Sequence, residues 1–374
     1  MSGVRWIGMN RAPIDDAAID GPNHFHVLRL AAAVLVLFSH SFHLLGRGAE
    51  EPLGRWFEQL DASRLGVSIF FVLSGFLVAR SWDRRPGLDV FLAARAVRIA
   101  PALIVVLLVT VFALGPVATS LPLREYLMSG ETRAYLGLNL VLFTQYLLPG
   151  VFENNPVPGV NGSLWTIPLE VVMYILLGIG GWLGLLARPT RLRGVLAVLA
   201  EHPVIGATLA LLATLLISKV LRTGPQYYGL AGYFMIGALC YRFRGALALR
   251  LDLVLVLVGL AIAGARSALE PVVLPLAITA AALTLAMHPR FRTRPTWLHR
   301  HDYSYGLYLY GYPVQQSLIA LGIATPGLLF GAATVVTLGC AALSWHVVER
   351  PCLELKRRGL RVSTRICLFR VRSP

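Results

Sequence analysis

The stretch His26–Leu45, HVLRLAAAVLVLFSHSFHLL, decides the class of fold. It has about the length an α-helix needs to cross a bilayer. Two of its residues are costly in that setting, Arg29 and His40, and eleven positions separate them. Eleven steps of about 100° end within ~20° of three full turns, so both side chains share one helical face, roughly 16 Å apart along the axis. They cannot touch, but they can line one path at two depths. An arginine within a membrane helix costs roughly 2.5–3.5 kcal/mol on insertion scales, and such residues face a bundle interior or a wet cavity. Arg29, close to the helix start, is also placed to snorkel to the interface. His40 is too deep for that. Its bland role is a neutral ring bonded to a neighbouring helix.

The rest of the chain agrees with a membrane environment. Of 374 residues, 56% are hydrophobic and only 14% charged, where a soluble domain averages nearer a quarter charged. The apolar residues come in long runs rather than alternating, which implies helices and not barrel strands. Spans are expected at 26–45, 65–82, 91–118, 164–186, 204–221, 229–243, 251–265, 271–288, 304–322 and 327–348. The segment 134–150 is ambiguous. The expected fold is all-α, a polytopic bundle of about ten transmembrane helices plus one re-entrant or interfacial segment. Residues 1–24 form a short cytoplasmic tail without the apolar core of a signal peptide, 25–349 the membrane domain, and 350–374 a basic cytoplasmic tail.

The net charge of +15 resembles a nucleic-acid signal, but its distribution gives it another meaning. With 134–150 not crossing and the N-terminus inside, 25 Lys and Arg fall on the cytoplasmic side and 8 outside, Arg29 completing the 34. Were 134–150 to cross, the counts would become 10 inside and 23 outside. Cytoplasmic loops carry the excess of Lys and Arg, so both termini are expected inside. The charge then serves orientation and attraction to anionic lipid, with no nucleic-acid partner. Trp82, Trp165, Tyr303, Tyr305 and Tyr308 fall near span ends, as an aromatic belt would. Cys240, Cys340, Cys352 and Cys367 show no metal or redox spacing, and no metal site is expected.

In this orientation Glu170, about six residues into the span that begins near Leu164, lies at the depth of His40. A carboxylate beside an imidazole would fix its tautomer and raise its basicity; alternatively the two tie helices together. Arg95 and Arg98, three apart on one helical face, suit phosphate, which guanidinium binds bidentately, although positive-inside anchoring also accounts for them. Ser74 and Gly75 permit close helix approach. His346 and Glu349 read as structural.

Taken together, these residues resemble the acyltransferase-3 family of integral-membrane acyltransferases, over about residues 22–356. Arg29 and His40 match its arginine–ten residues–histidine signature. GVSIFFVLSGFLVA, Arg95 with Arg98, NGSLWTIPLEVVMY, YSYGLYLYGYPVQQ and VVERP match further elements in the family's order. The resemblance implies an O-acyltransferase that takes an acyl group, by default acetyl, from cytoplasmic acyl-CoA to a hydroxyl of a surface polysaccharide or lipid-linked glycan, in a bacterial inner membrane. Acyl-CoA would be the donor substrate, with no bound cofactor. His40 would act as general base or carry the acyl group, with Glu170 orienting it. Arg29 would hold a pantetheine carbonyl or phosphate. Arg95, Arg98, Ser74, Trp165 and Tyr174 complete the substrate-binding candidates. Some family members carry a fused esterase-like domain that is not expected here. The chain would then acylate the acceptor itself or pass the group to a separate periplasmic transferase. The alternative is a transporter of a lipid-linked sugar or ion that uses the same intramembrane polar residues.

Overall fold

The computed structural model describes residues 14, 19–21, 23–183, 225–288 and 301–355. Most of the described residues are helical, none forms a strand, and an isolated bridge joins Thr119 to Val151. The principal helices are α1 (Phe25–His43), α2 (Ala62–Arg84), α3 (Leu88–Val109, running on through a π turn to Ala118), α4 (Gly130–Leu140), α5 (Thr166–Trp182), α6 (Pro225–Arg242), α7 (Leu251–Ala263), α8 (Glu270–Met287), α9 (Ser304–Ala320) and α10 (Pro326–Ser344, running on to Leu355).

Six of these, α1, α2, α3, α5, α8 and α10, are long and apolar enough to cross a membrane. Helix α7 is apolar but has only 13 residues, and α9 has 17. The expected span at 204–221, the arginines at 188–193 and 290–300, and the basic tail beyond 355 lie outside the described residues. Segment 134–150 does not form one helix. Helix α4 has 11 residues, about 16 Å at helical rise, too short for a hydrocarbon core of about 30 Å. The Asn139 side chain then binds the Tyr135 carbonyl at 2.8 Å and the Gln145 carbonyl at 3.1 Å. These bonds end the helix and turn the chain into an irregular segment.

That segment is fastened to α9. The Gln316 amide donates to the Val157 and Gly159 carbonyls at 2.8 and 2.6 Å. Asn155 donates to the Gln316 side chain at 2.8 Å, and Asn161 to the Leu309 carbonyl at 2.9 Å. Buried amides of this kind satisfy backbone carbonyls that would otherwise be stranded in an apolar interior.

The bundle centres on α2, which packs along α6 on one side and α1 on the other, while α9 lies against α1 and α10. Acidic side chains set the start of α2. The Asp61 carboxylate caps it by accepting from the Arg64 amide at 2.7 Å, and buried Glu51 accepts from the Ala62 amide at 3.0 Å. Carboxylates at helix N-termini satisfy orphan amides and complement the macrodipole. Of the rings expected in an aromatic belt, Trp82 is buried edge-on against Phe91 at 5.3 Å and Tyr305 is buried as well, so both pack inside the protein.

Gly75 and Gly237 make the α2–α6 contact possible. A Cβ on Gly75 would collide with the Phe234 carbonyl, and one on Gly237 with that of Val72. Small residues at such crossings let backbones approach closely. Gly75→Ala is therefore expected to destabilise the protein by about 1–3 kcal/mol through overpacking, read as a lower unfolding midpoint in detergent. Gly245→Ala, where an added Cβ meets nothing within 4 Å, should leave the midpoint unchanged.

Candidate functional site

Four charged side chains meet at the end of the bundle where α1 and α9 begin. The Asp302 carboxylate, 4% exposed, lies just before α9. Its Oδ2 accepts from Arg29 Nη1 at 3.1 Å and from Arg98 Nη2 at 2.5 Å, and its Oδ1 accepts from the Ser304 hydroxyl at 2.5 Å. Arg98 also donates to Glu349 on α10 at 3.3 Å, and Glu349 accepts from Ser344 at 3.1 Å. Two guanidinium groups thus face two carboxylates, which offsets the cost of burying each charge alone.

Beyond Arg29 lies a small internal cavity of about 40 Å³, room for a carbonyl group or a few waters. Its polar wall is made by Arg29, Ser74, Thr166, Glu170, Tyr305 and Tyr308, and Phe70 and Ile167 are among its apolar lining. Thr166 and Tyr308 share a hydrogen bond at 2.7 Å. Arg29 lies over the Phe70 ring at 5.7 Å, and its Nε is buried with no hydrogen-bond partner.

Glu170 does not pair with His40. Its carboxylate accepts from the hydroxyl of Tyr174, one turn along α5, and faces the cavity of Arg29. His40 is not among the residues lining that cavity. Its ring stands edge-on to Tyr312 at 5.4 Å, and none of the described residues hydrogen-bonds its ring nitrogens. The matched depth of the two residues is an axial coordinate only; α5 turns Glu170 toward its own Tyr174 instead.

Arg95 and Arg98 share a helical face but not a role. Arg98 is held by two carboxylates, whereas no carboxylate among the described residues pairs with Arg95. Arg95 donates to the Ser81 hydroxyl at 3.3 Å, and its guanidinium lies over the rings of Tyr174 at 5.7 Å and Phe91 at 5.9 Å. Ser81 in turn lines an open cleft of about 310 Å³ with Arg80, Arg84 and Arg85. Asp20 of the N-terminal segment pairs with both Arg80 and Arg84. The hydrogen bond from Arg80, then that from Arg84, hold its carboxyl below the usual aspartate range.

Ser74, Glu170 and Arg29 are therefore brought to one cavity, with Tyr174 behind it. Trp165 is half-buried at the entry to α5 and packs on the core. Asp302, Glu349, Thr166, Tyr305 and Tyr308 join the site without having been singled out for chemistry by the sequence. Asp302 had one signal, a charge immediately before an apolar helix. No cluster that could hold a metal occurs among the described residues.

Helices fit to cross a membrane, built around paired buried charges and a polar cavity, define a membrane protein with an internal reaction or transport site. Residues 23–346 match the model of an acyltransferase domain, and the chain belongs to that family, the acyltransferase-3 family. It is 30% identical over 362 residues to nodulation protein 10 of Rhizobium leguminosarum bv. viciae, covering 89% of this chain and 94% of that one. It is also 30% identical over 337 residues to an O-acetyl transferase of Shigella phage Sf6, covering 88% and 95%. No solved structure gives a significant match. The protein is an acyltransferase for groups other than aminoacyl, which decides against the transporter alternative.

The two arginines should separate in stability. Arg98→Met strands the buried Glu349 carboxylate, and breaking one side of a buried pair costs about 3–5 kcal/mol. Arg95→Met strands no carboxylate and is expected to cost about 1 kcal/mol, as a typical point change does. Unfolding midpoints of the two variants measured side by side check this.

Proposed function

We propose that the protein is a membrane-bound O-acyltransferase that takes an acyl group, acetyl by default, from acyl-CoA on the cytoplasmic side. The acceptor is a hydroxyl of a cell-surface polysaccharide or lipid-linked glycan. In this reading about ten helices cross a bacterial inner membrane with both termini inside. The printed name of the phage relative, O-acetyl transferase, supports the reaction class. The observation that carries the reading is an unbroken run of contacts. It starts at the arginine-lined cleft, passes from Ser81 to Arg95, Tyr174 and Glu170, and ends at the cavity lined by Arg29.

The roles follow from that run. Arg80, Arg84 and Arg85, with Arg95 at the inner wall, take the phosphates of coenzyme A, guanidinium being the side chain best matched to them. Arg98 holds the frame, because its charge is already neutralised. The pantetheine arm, a thin chain rich in amide carbonyls, runs inward past Arg95 to the cavity. There Arg29 donates to one of its carbonyls, and Ser74 and Tyr174 line its path. The thioester lies further along, toward His40, whose unprotonated ring nitrogen is hydrogen-bonded by none of the described residues and accepts the proton. The acceptor oxygen forms the new C–O bond as the C–S bond breaks. The hydroxyl proton passes to His40 and then to the departing thiolate, as general acid–base catalysis requires.

Membranes given labelled acetyl-CoA should transfer label to surface glycan, and comparing glycan mass with and without the gene names the group and its acceptor. His40→Ala should abolish transfer with the protein still inserted; near-normal transfer would overturn the mechanism.

Asp20 acts in this reading as a stand-in anion that the incoming phosphates displace. Asp20→Asn should lower KM for acyl-CoA a few-fold at low salt, with the difference shrinking as salt screens the cleft. An unchanged KM across the salt series would remove Asp20 from the donor path.

A further inference from the structure

We infer that Asp302 is a positioning residue for the donor: it holds Arg29 by one nitrogen and leaves the remaining edge of the guanidinium free for the pantetheine carbonyl. The inference rests on the acyl-CoA reading above.

The geometry is asymmetric in a way that a purely structural ion cluster does not need to be. Arg98 has two carboxylates, Asp302 and Glu349. Arg29 has one, Asp302, among the described residues. Removing the Asp302 charge leaves Arg98 with a partner and Arg29 with none, so the consequence falls on Arg29. The carboxylate itself is fixed: Ser304 holds Oδ1 at 2.5 Å, and Oδ2 also lies 3.5 Å from His26 Nδ1.

What Asp302 leaves open is as informative as what it holds. It engages only Nη1 of Arg29. The Nε is buried without a partner, and no described group hydrogen-bonds Nη2. Nε and Nη2 form one edge of the planar fork, the edge suited to a two-point grip on an oxygen acceptor. A buried donor without an acceptor is unfavourable, and a ligand carbonyl entering the cavity that Arg29 lines would supply the acceptor. Phe70, 5.7 Å beneath the guanidinium, and Asp302 at its end together restrain the plane. Arg29 thus acts through its free edge, and Asp302 acts through Arg29.

The role separates from simple support of the fold by where the kinetic loss appears. Losing an interaction made equally in the bound donor and the transition state raises KM and leaves kcat alone, whereas fewer folded molecules lower the apparent kcat and leave KM alone. The experiment measures initial rates of label transfer to membrane glycan, per inserted molecule, with two donors: acetyl-CoA and S-acetyl-pantetheine, which lacks the nucleotide phosphates. Asp302→Asn, nearly isosteric, should raise KM about tenfold for both donors with kcat within about twofold. Arg95→Ala should raise KM for acetyl-CoA only.

An unchanged KM in Asp302→Asn, or a loss confined to kcat, overturns the inference. So does a KM rise seen with acetyl-CoA alone, which would locate the effect at the phosphate end. If Asp302→Asn fails to insert, Ser304→Ala decides: it keeps the charge and frees Oδ1, so a KM raised a few-fold for both donors supports the inference and an unchanged KM overturns it. Failure of the underlying reading is recognised separately, as wild-type protein that transfers no label from acetyl-CoA.

Discussion

The Asp302 carboxylate, shared by Arg29 and Arg98, is the contact on which the arginine-rich end of the bundle depends. It sits at the start of α9 and reaches α1 through Arg29 and α3 through Arg98; Glu349 then extends the link to α10. Four helices are joined by two cations and two anions. Buried pairs of this kind contribute little net stability relative to apolar packing, yet are costly to break from one side. They are therefore better at fixing a geometry than at strengthening a fold. What this pair fixes is the depth and orientation of Arg29, on the wall of a cavity it shares with the polar groups of Ser74, Thr166, Glu170, Tyr305 and Tyr308 and the apolar side chains of Val67, Phe70, Phe71 and Ile167.

Apolar contacts and polar ones act side by side in both halves of the bundle. Along α2, Gly75 allows backbone-to-backbone approach with α6, and the adjacent Ser74 turns its small polar group to the cavity. One position closes the packing while its neighbour opens a polar wall, which is possible because successive residues on a helix point about 100° apart. At the opposite end, the segment after α4 buries Leu148, Val151, Phe152 and Val160 in the core. The amides of Asn155, Asn161 and Gln316 add bonds to backbone carbonyls there, and Tyr312, beside His40, lies under Gly162 of the same segment.

Much of this was legible in the sequence, and the limit is physical. Helix α1, the shared face of Arg29 and His40, and the absence of one spanning-length helix over 134–150 follow from periodicity, length and charge placement, because these depend on local spacing. The ordered motifs also identified the family. The pairing of Glu170 with His40 did not follow, since depth in a membrane fixes one coordinate of three and leaves open which way each helix is rotated. Asp302 was missed for a related reason: 273 residues separate it from Arg29, and nothing local marks the partner of a charge so far along the chain. Arg95 and Arg98 look equivalent at a spacing of three. Only the contents of the neighbouring helices, Ser81 and Tyr174 for one and Asp302 and Glu349 for the other, tell them apart.

That separation bears on how one short helical turn can serve two purposes. A guanidinium already bound by two carboxylates has little left to offer a phosphate, and withdrawing it would expose both acids. A guanidinium stacked on aromatic rings with a single hydroxyl contact keeps its charge available, and cation–π contacts hold it at modest cost. Arg98 is therefore part of the frame, whereas no described carboxylate compensates Arg95, although they are one turn apart. Arg29 stands between these extremes, with one nitrogen committed and the adjoining edge free. If the donor is acyl-CoA, as proposed above, a site that must both hold its shape and admit a charged, flexible molecule needs all three conditions at once. The contacts of Asp302 distribute them, by saturating one arginine jointly with Glu349 and only half-saturating the other.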